Sequence, residues 1–556
     1  MLRRFLAAAT ILLTLTHVGA YLASGWMART ILANRTLDGE RQPPERWIAL
    51  LHEIILRSGA VSVLAALTLF LLLGRERTRE ELLGFFRAEE TPLRLGVFRA
   101  LFFAGFFIVF PPGEVVFFSR LPPVLIQGLA DPLPLWRLIV PAPAITPMLV
   151  RLFLVLCFCA MIGFCTRFAA LGFVALGFYL LGIPQIYGKV NHDHHLLWCA
   201  LVLGLSPSGD AFSVDAILRR GLGGAAPPAR SRVYGLPIRV IWLLMGILYF
   251  WPGFWKVVQH GSAWVHPDTL ASHLYLKWFE DPGFSPLFRV DRVPWLCTVG
   301  SCLVIAFELS WIFLIPFART RPIAVALGIV FHNTTSVLMN IAFLSLQICY
   351  TVFVDWEAVV RWIRARLGRD EAAPDPTSLA RRLRAAPATS ALLAFLTRGP
   401  GERGAIRGVL AALAVIGGLD MVYGALHATD AWPFACYPTF STVIKRERRS
   451  LYIKIQSPVS GDREAESGKA IAVFRAERYS AVLWGVVHER DEARRHRKLE
   501  ALADVILFID DFIAPGETIV IGEAVFSTEP GAGRRPHTDE QLYTFRVQDD
   551  RKVRRM

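Results

Sequence analysis

Residues 168–207 read FAALGFVALGFYLLGIPQIYGKVNHDHHLLWCALVLGLSP. Two apolar runs, 168–186 and 196–207, are suited to entering a bilayer. Between them sit Lys189, Asn191, His192, Asp193, His194 and His195. Polar and ionisable groups at the edge of the hydrocarbon are costly, so their clustering there marks a functional position. Lys189, His192, His194 and His195 are therefore the first candidates for chemistry.

The rest of the chain has the same character. Over 556 residues, 54% are hydrophobic and only 19% charged, against roughly a quarter charged in ordinary soluble domains. Mean hydropathy is +0.43. The net charge of +14 does not point to nucleic acid, because the basic residues collect in short loops between apolar segments. Lys and Arg placed that way orient a protein in the membrane. The eight cysteines are Cys157, Cys159, Cys165, Cys199, Cys297, Cys302, Cys349 and Cys436. Most lie in apolar runs, where a thiol behaves as a small hydrophobe, and none form a zinc or CxxC pattern.

Segments of about twenty apolar residues, the length that spans a bilayer, predict about eleven transmembrane helices. They start near residues 5, 48, 97, 147, 168, 194, 236, 296, 322, 341 and 404, with the sixth and tenth short. The fold class expected is an all-α polytopic membrane bundle with a small C-terminal α+β or β-rich soluble domain. The organisation reads as follows: residues 1–91 hold N-terminal membrane helices and a basic loop, 92–356 a membrane domain, 357–403 a basic cytoplasmic linker, 404–427 the last span, and 428–556 the outer domain. The linker combines an amphipathic interfacial stretch with flexible sequence. In the outer domain SLYIKIQ, KAIAVFRA, YSAVLWGVV, ETIVIGEAVF and QLYTFRV read as strands, and HERDEARRHRKLEALADVILFI as a helix. Counting spans puts the basic segments 1–4, 75–94, 210–239, 318–321 and 361–407 on one side, which the positive-inside rule makes cytoplasmic. Lys189, the histidines and the C-terminal domain then lie outside.

A lone lysine at a membrane boundary extends toward lipid phosphates. Held instead in a partly apolar site, it loses affinity for its proton and serves as a general base near neutral pH. The same two readings apply to Lys256, near the outer end of its span in YFWPGFWKVVQ; the aromatics around it, Tyr249 and Trp255 among them, form an interfacial belt or the walls of a flat-ligand site. Glu308 and His332 are intramembrane polar residues and should face the bundle interior. His192 and His195 share a helical face that His332 could join, but a metal site needs further ligands at standard spacing. No metal is expected.

Several pieces occur in order: PLRLGVFRALFFAG (92–105), KVNHDHHLLWCALVLGLSPSGDAFSVDA (189–216), LYFWPGFWKVVQHGSAWV (248–265), FELSWIFLIPFARTRPIAVALGIVFHNTTSVLMNIAFLSLQ (307–347) and WPFACYPTF (432–440). The ordered set resembles the HTTM family, bacterial membrane relatives of vitamin K-dependent gamma-carboxylase. The resemblance implies a multi-pass protein of the bacterial inner membrane that carries out quinol-dependent carboxylation or oxygenation of an exported protein or peptide. Reduced, vitamin K hydroquinone-like quinone, O2 and CO2 would be the reactants. By position Lys189 would be the base, assisted by His192 or His194, with Asn191, His195, Tyr249, Trp255, Lys256, Glu308 and His332 lining the substrate site. The alternative is a non-catalytic membrane scaffold or maturation and export factor whose outer domain binds a partner. No nucleic acid is expected in either case.

The basic-loop alternation predicts a cytoplasmic N-terminus and an external C-terminus. Alkaline phosphatase fused after Met556 is expected to be active in intact bacteria; fluorescence from a cytoplasm-dependent reporter at the same position would contradict the assignment.

Overall fold

A computed structural model describes residues 2–30, 32, 36–37, 40–41, 43–129, 134–188, 193–281, 283–367, 387–429, 431–436, 440–458, 461–464, 476–510, 513–530, 532, 536–550 and 552–555. Lys189, Asn191 and His192 lie outside these residues, as do much of the 357–403 linker and most of the KAIAVFRA run.

The described helices up to Arg366 run in chain order. They are α1 (Leu2–Thr30), α2 (Pro44–Gly74), α3 (Glu76–Arg87), α4 (Pro92–Val109), α5 (Pro112–Ser119), α6 (Thr146–Ile162), α7 (Thr166–Gly182), α8 (His194–Leu205), α9 (Val214–Gly221), α10 (Arg232–His260), α11 (Pro267–Glu280), α12 (Pro294–Leu314), α13 (Arg321–Met339), α14 (Leu344–Cys349) and α15 (Trp356–Arg366). A last span, Glu402–Ala425, contains a π-helical turn at Leu413–Gly417. Eight helices among the described residues are long and apolar enough to cross a membrane. Three of the segments expected to span, 146–162, 194–205 and 344–353, form shorter apolar helices. The chain is a multi-pass membrane protein.

Helix α10 is the axis of the bundle. Ser231 caps it through a bond from the Val233 amide, and its apolar residues lie on all sides and are mostly buried, with Arg232, Arg239 and Lys256 its charged residues. Its glycines bring α12 close. A Cβ at Gly246 would stand 3.0 Å from Ile312, and one at Gly253 would stand 2.8 Å from the Glu308 Cβ. Pro252, one turn before Lys256, offers no N–H to the Leu248 carbonyl, which interrupts the helical ladder there.

The Ser213-Val214-Asp215 turn is a structural knot at the opposite end of the bundle from the outer domain. Ser213 caps α9, while Asp215 accepts the Cys165 and Thr166 amides, both at 2.8 Å, and caps α7. Arg99, fully buried, donates to the carbonyls of Ala160 and Phe212 and ties α4 to this knot. Gly163, at φ +71°, must be glycine, since a Cβ would meet the Arg99 guanidinium at 2.0 Å.

The C-terminal domain is α+β. Strands Glu447–Gln456, Thr518–Ser527 and Thr538–Val547 form an antiparallel sheet with short strands Arg463–Glu464 and Val553–Arg555 at its edges. Helix Glu492–Ile509 follows the sequence reading. YSAVLWGVV does not: it lies in a helix, Ala476–Val487. Its buried residues Val482, Leu483, Val486 and Val487 follow helical spacing and pack in the same core as Ile453, Ile455, Ile519 and Ile521 of the sheet.

This domain is docked on the membrane bundle, at the end away from the basic loops. Buried Arg478 pairs with Glu114 at 2.8 Å and donates to the Pro184 carbonyl, also at 2.8 Å. Gln127 donates to Ala481, Trp264 to the Phe440 carbonyl, and Arg448 pairs with Glu280.

Candidate functional site

Lys256 and Glu308 meet inside the bundle. Lys256 Nζ donates to both carboxylate oxygens of Glu308 at 2.8 Å, and the two residues are 1% and 4% exposed. The expectation that Lys256 reaches for lipid phosphates is therefore corrected. Its side chain turns inward because a carboxylate stands on the facing helix at the one level where Gly253 lets α12 approach. The Trp264 ring centre lies 5.1 Å from Lys256 Nζ, a cation–π contact on the side away from the bilayer centre.

The pair forms part of the wall of a largely apolar cavity of about 360 Å³ between α10, α11, α12 and α13. Phe307, Phe331, Leu303 and Met339 supply apolar wall, and Phe440, from the segment leading to the outer domain, lines the cavity as well. A second polar group faces the same space. Tyr249 Oη lies 2.6 Å from His332 Nε2 and 2.9 Å from Tyr350 Oη. His332 Nδ1 has no partner among the described residues. Tyr249 and Trp251 are buried, so these two aromatics are interior rather than part of an interfacial belt. His273 of α11 also lines the cavity. Burial, followed by the nearby Lys256 charge, pulls its imidazole down to about 4, so it is neutral at physiological pH.

The structure thus brings Tyr249, Lys256, Glu308 and His332 to one cavity. Trp255 points elsewhere: its indole donates to the Gly424 carbonyl at 2.8 Å and packs on His427 of the segment after the last span. His194 and His195 are buried at the start of α8, with His194 against Trp198 and His195 close enough to His332 for their charges to interact. Neither lines the apolar cavity. Asp193 instead lines a second cavity, of about 330 Å³, together with Glu114, Gln185 and Arg478. Phe343 lines both cavities and holds a left-handed backbone, φ 45°, uncommon for a bulky residue.

Tyr350, His273 and Phe440 were not singled out from sequence. The ion pair had a legible signal, because two opposite charges in neighbouring apolar spans have few partners other than each other. Chemically, an amine and a carboxylate sharing a wall with a hydrogen-bonded phenol–imidazole pair can hold a ligand hydroxyl and exchange its proton.

Removing one member strands the other charge. Lys256→Met and Glu308→Leu are each expected to lower stability by about 3–5 kcal/mol. The double variant should recover most of the loss, read from thermal unfolding of the detergent-solubilised protein. A double variant whose loss equals the sum of the singles would contradict the pairing.

Residues 89–357 match the HTTM domain, close to the 92–356 region that carries the sequence resemblance. ATP synthase subunit a from Mycoplasma genitalium is 28% identical over 132 residues, covering 22% of this chain and 43% of that protein. The chain therefore spans less than half the length of that relative. No solved structure matches. Tyr249, Lys256, Glu308 and His332 all fall within residues 89–357, and this region of the chain is an HTTM domain.

Proposed function

We propose that this protein binds a reduced quinone, or a similarly flat phenolic compound, in the cavity between α10, α12 and α13, and that Lys256 takes the proton from its hydroxyl. The observation that carries this reading is the buried Lys256–Glu308 pair on the wall of an apolar cavity. Its volume of about 360 Å³ lies within the range of about 300–1,000 Å³ typical of small-molecule sites. Phe307 and Phe331 offer flat faces to an aromatic ring, and the two polar groups suit a molecule with oxygens at its ends.

A bound reduced quinone would supply an ionisable hydroxyl and the electrons for dioxygen chemistry. The residues supply the rest. Within the pair, passage of the one proton from the ammonium to the Glu308 carboxylate leaves the neutral Lys256 amine as the vacant basic site. The ligand proton fills it, giving an ammonium beside a neutral carboxylic acid, and the positive charge so gained stays next to the ligand oxygen that lost the proton. Tyr249, oriented by His332 and Tyr350, would hold the ligand's other polar end. Phe440, held by the Trp264 indole through its carbonyl, would limit water at the outer end.

The HTTM domain and the resemblance to gamma-carboxylases extend the proposal to carboxylation or oxygenation of an exported partner, with O2 and CO2 as co-reactants. The orientation proposed places the N-terminus in the cytoplasm of a bacterial cell and the C-terminal domain outside its inner membrane. Lys256 takes the role of base here because its surroundings support it; Lys189 lies outside the described residues. The scaffold alternative draws on the close docking of the C-terminal domain through Arg478, and absence of quinol binding would favour it.

Reduced menadione and the purified full chain provide the test. Wild type is expected to bind it, with quenching of tryptophan fluorescence, and to consume oxygen. Lys256→Arg keeps the charge and the Glu308 pairing but does not release a proton at working pH. It should retain binding and lose about a hundred- to ten-thousand-fold in rate. Turnover at the wild-type rate in Lys256→Arg would refute the assignment.

A further inference from the structure

At the end of the bundle away from the C-terminal domain, α4, α10 and α13 all begin, and three arginines gather round one indole. The guanidinium carbons of Arg321, Arg239 and Arg94 lie 4.6, 4.9 and 5.9 Å from the Trp242 ring centre. One carboxylate serves them. Glu90 Oε1 accepts from Arg94 at 2.9 Å and Arg239 at 2.5 Å. Arg321 donates its hydrogen bonds to neutral partners, the Ile315 and Pro316 carbonyls at 2.9 and 3.1 Å, and meets Glu90 only through its field. Arg230 stands close enough to Arg239 to add to the positive field.

Three cations against one anion leave an excess of positive charge where solvent is scarce. Arg239 is 6% exposed and Trp242 1%. Surplus buried charge is costly unless an ion of opposite sign compensates it. Further donors are unused: Arg94 Nε, Arg239 Nε and Trp242 Nε1 have no partner among the described residues. The N-termini of three long helices meet here as well, each presenting the positive end of its dipole and its unbonded amides. The partly buried side chains of Arg94 and Arg321 keep some exposure and connect the cluster to the membrane boundary.

We propose that this cluster is a binding site for a phosphate-bearing anion, held by the guanidinium groups of Arg94 and Arg321 at its rim and by the field of Arg239 beneath. Guanidinium forks match phosphate oxygens in charge and geometry. The phosphate belongs to an anionic lipid headgroup or to a soluble phosphate, and both present the same group to the rim. Neither source involves the Lys256 cavity, so the site stands or falls apart from the proposed function.

Native mass spectrometry and thermal unfolding of the detergent-solubilised full chain, with phosphatidylglycerol, phosphatidylcholine or inorganic phosphate added in turn, test this. Wild type is expected to retain phosphatidylglycerol about tenfold or more over phosphatidylcholine, the scale set by two arginines facing an anionic headgroup. Arg94→Gln/Arg321→Gln should lose that preference. Glu90→Gln, which removes the competing carboxylate and keeps all three arginines, should hold the lipid more tightly and covers the case in which the double variant fails to fold. Protection by inorganic phosphate without lipid preference, lost in the same double variant, identifies a soluble ligand and supports the site. Retention unchanged by the substitutions, weaker retention in Glu90→Gln, or no effect of either phosphate source on wild type overturns it.

Discussion

A lysine and a glutamate buried between two apolar helices constrain everything around them. In a low-dielectric interior the attraction of two charges is many times stronger than in water, but so is the cost of removing each from water. The Lys256–Glu308 contact reconciles these terms through geometry: two bonds from one ammonium to both oxygens of one carboxylate. That geometry requires α10 and α12 to be close, and Gly246 and Gly253 make them so. Replacing either glycine with a larger residue would press on Ile312 or on Glu308 itself. The apolar cavity opens beside this contact, where α12 and α13 part.

The C-terminal domain completes the arrangement from outside. Trp264 links the two parts, stacking on Lys256 while its indole N–H binds the Phe440 carbonyl. Arg478 reaches into the bundle to Glu114 and to the carbonyls around 184–188, next to the second cavity. Phe343 stands between the two cavities with its ring against His332. The cavity that Glu114, Asp193 and Arg478 line and the apolar one in the bundle thus share the Phe343 side chain.

Much of this was legible in the sequence, and the exceptions have physical causes. The apolar segments all form helices, since length and hydropathy are local properties. The YSAVLWGVV run was misread because short apolar stretches fit both periods, and contact with the sheet decided for the helix. Glu308 and His332 were expected to face the interior, as a charge or imidazole in hydrocarbon must. The burial of Lys256 was harder to see. Position near a helix end suggests extension to the boundary, and only the three-dimensional level of Glu308 on α12 reverses it. Lys189, Asn191 and His192, which the resemblance emphasises, lie outside the described residues, so the site rests on Tyr249, Lys256, Glu308 and His332.

The account centres on one claim, that the cavity beside the Lys256–Glu308 pair receives a flat phenolic ligand. An electron cryomicroscopy map of the full chain in lipid nanodiscs, with a reduced naphthoquinone analogue, tests it most directly. The account predicts planar density between Phe307 and Phe331 with an oxygen within hydrogen-bond distance of Lys256 Nζ. Acyl-chain density filling the same cavity at saturating ligand, or the analogue bound elsewhere, would contradict it.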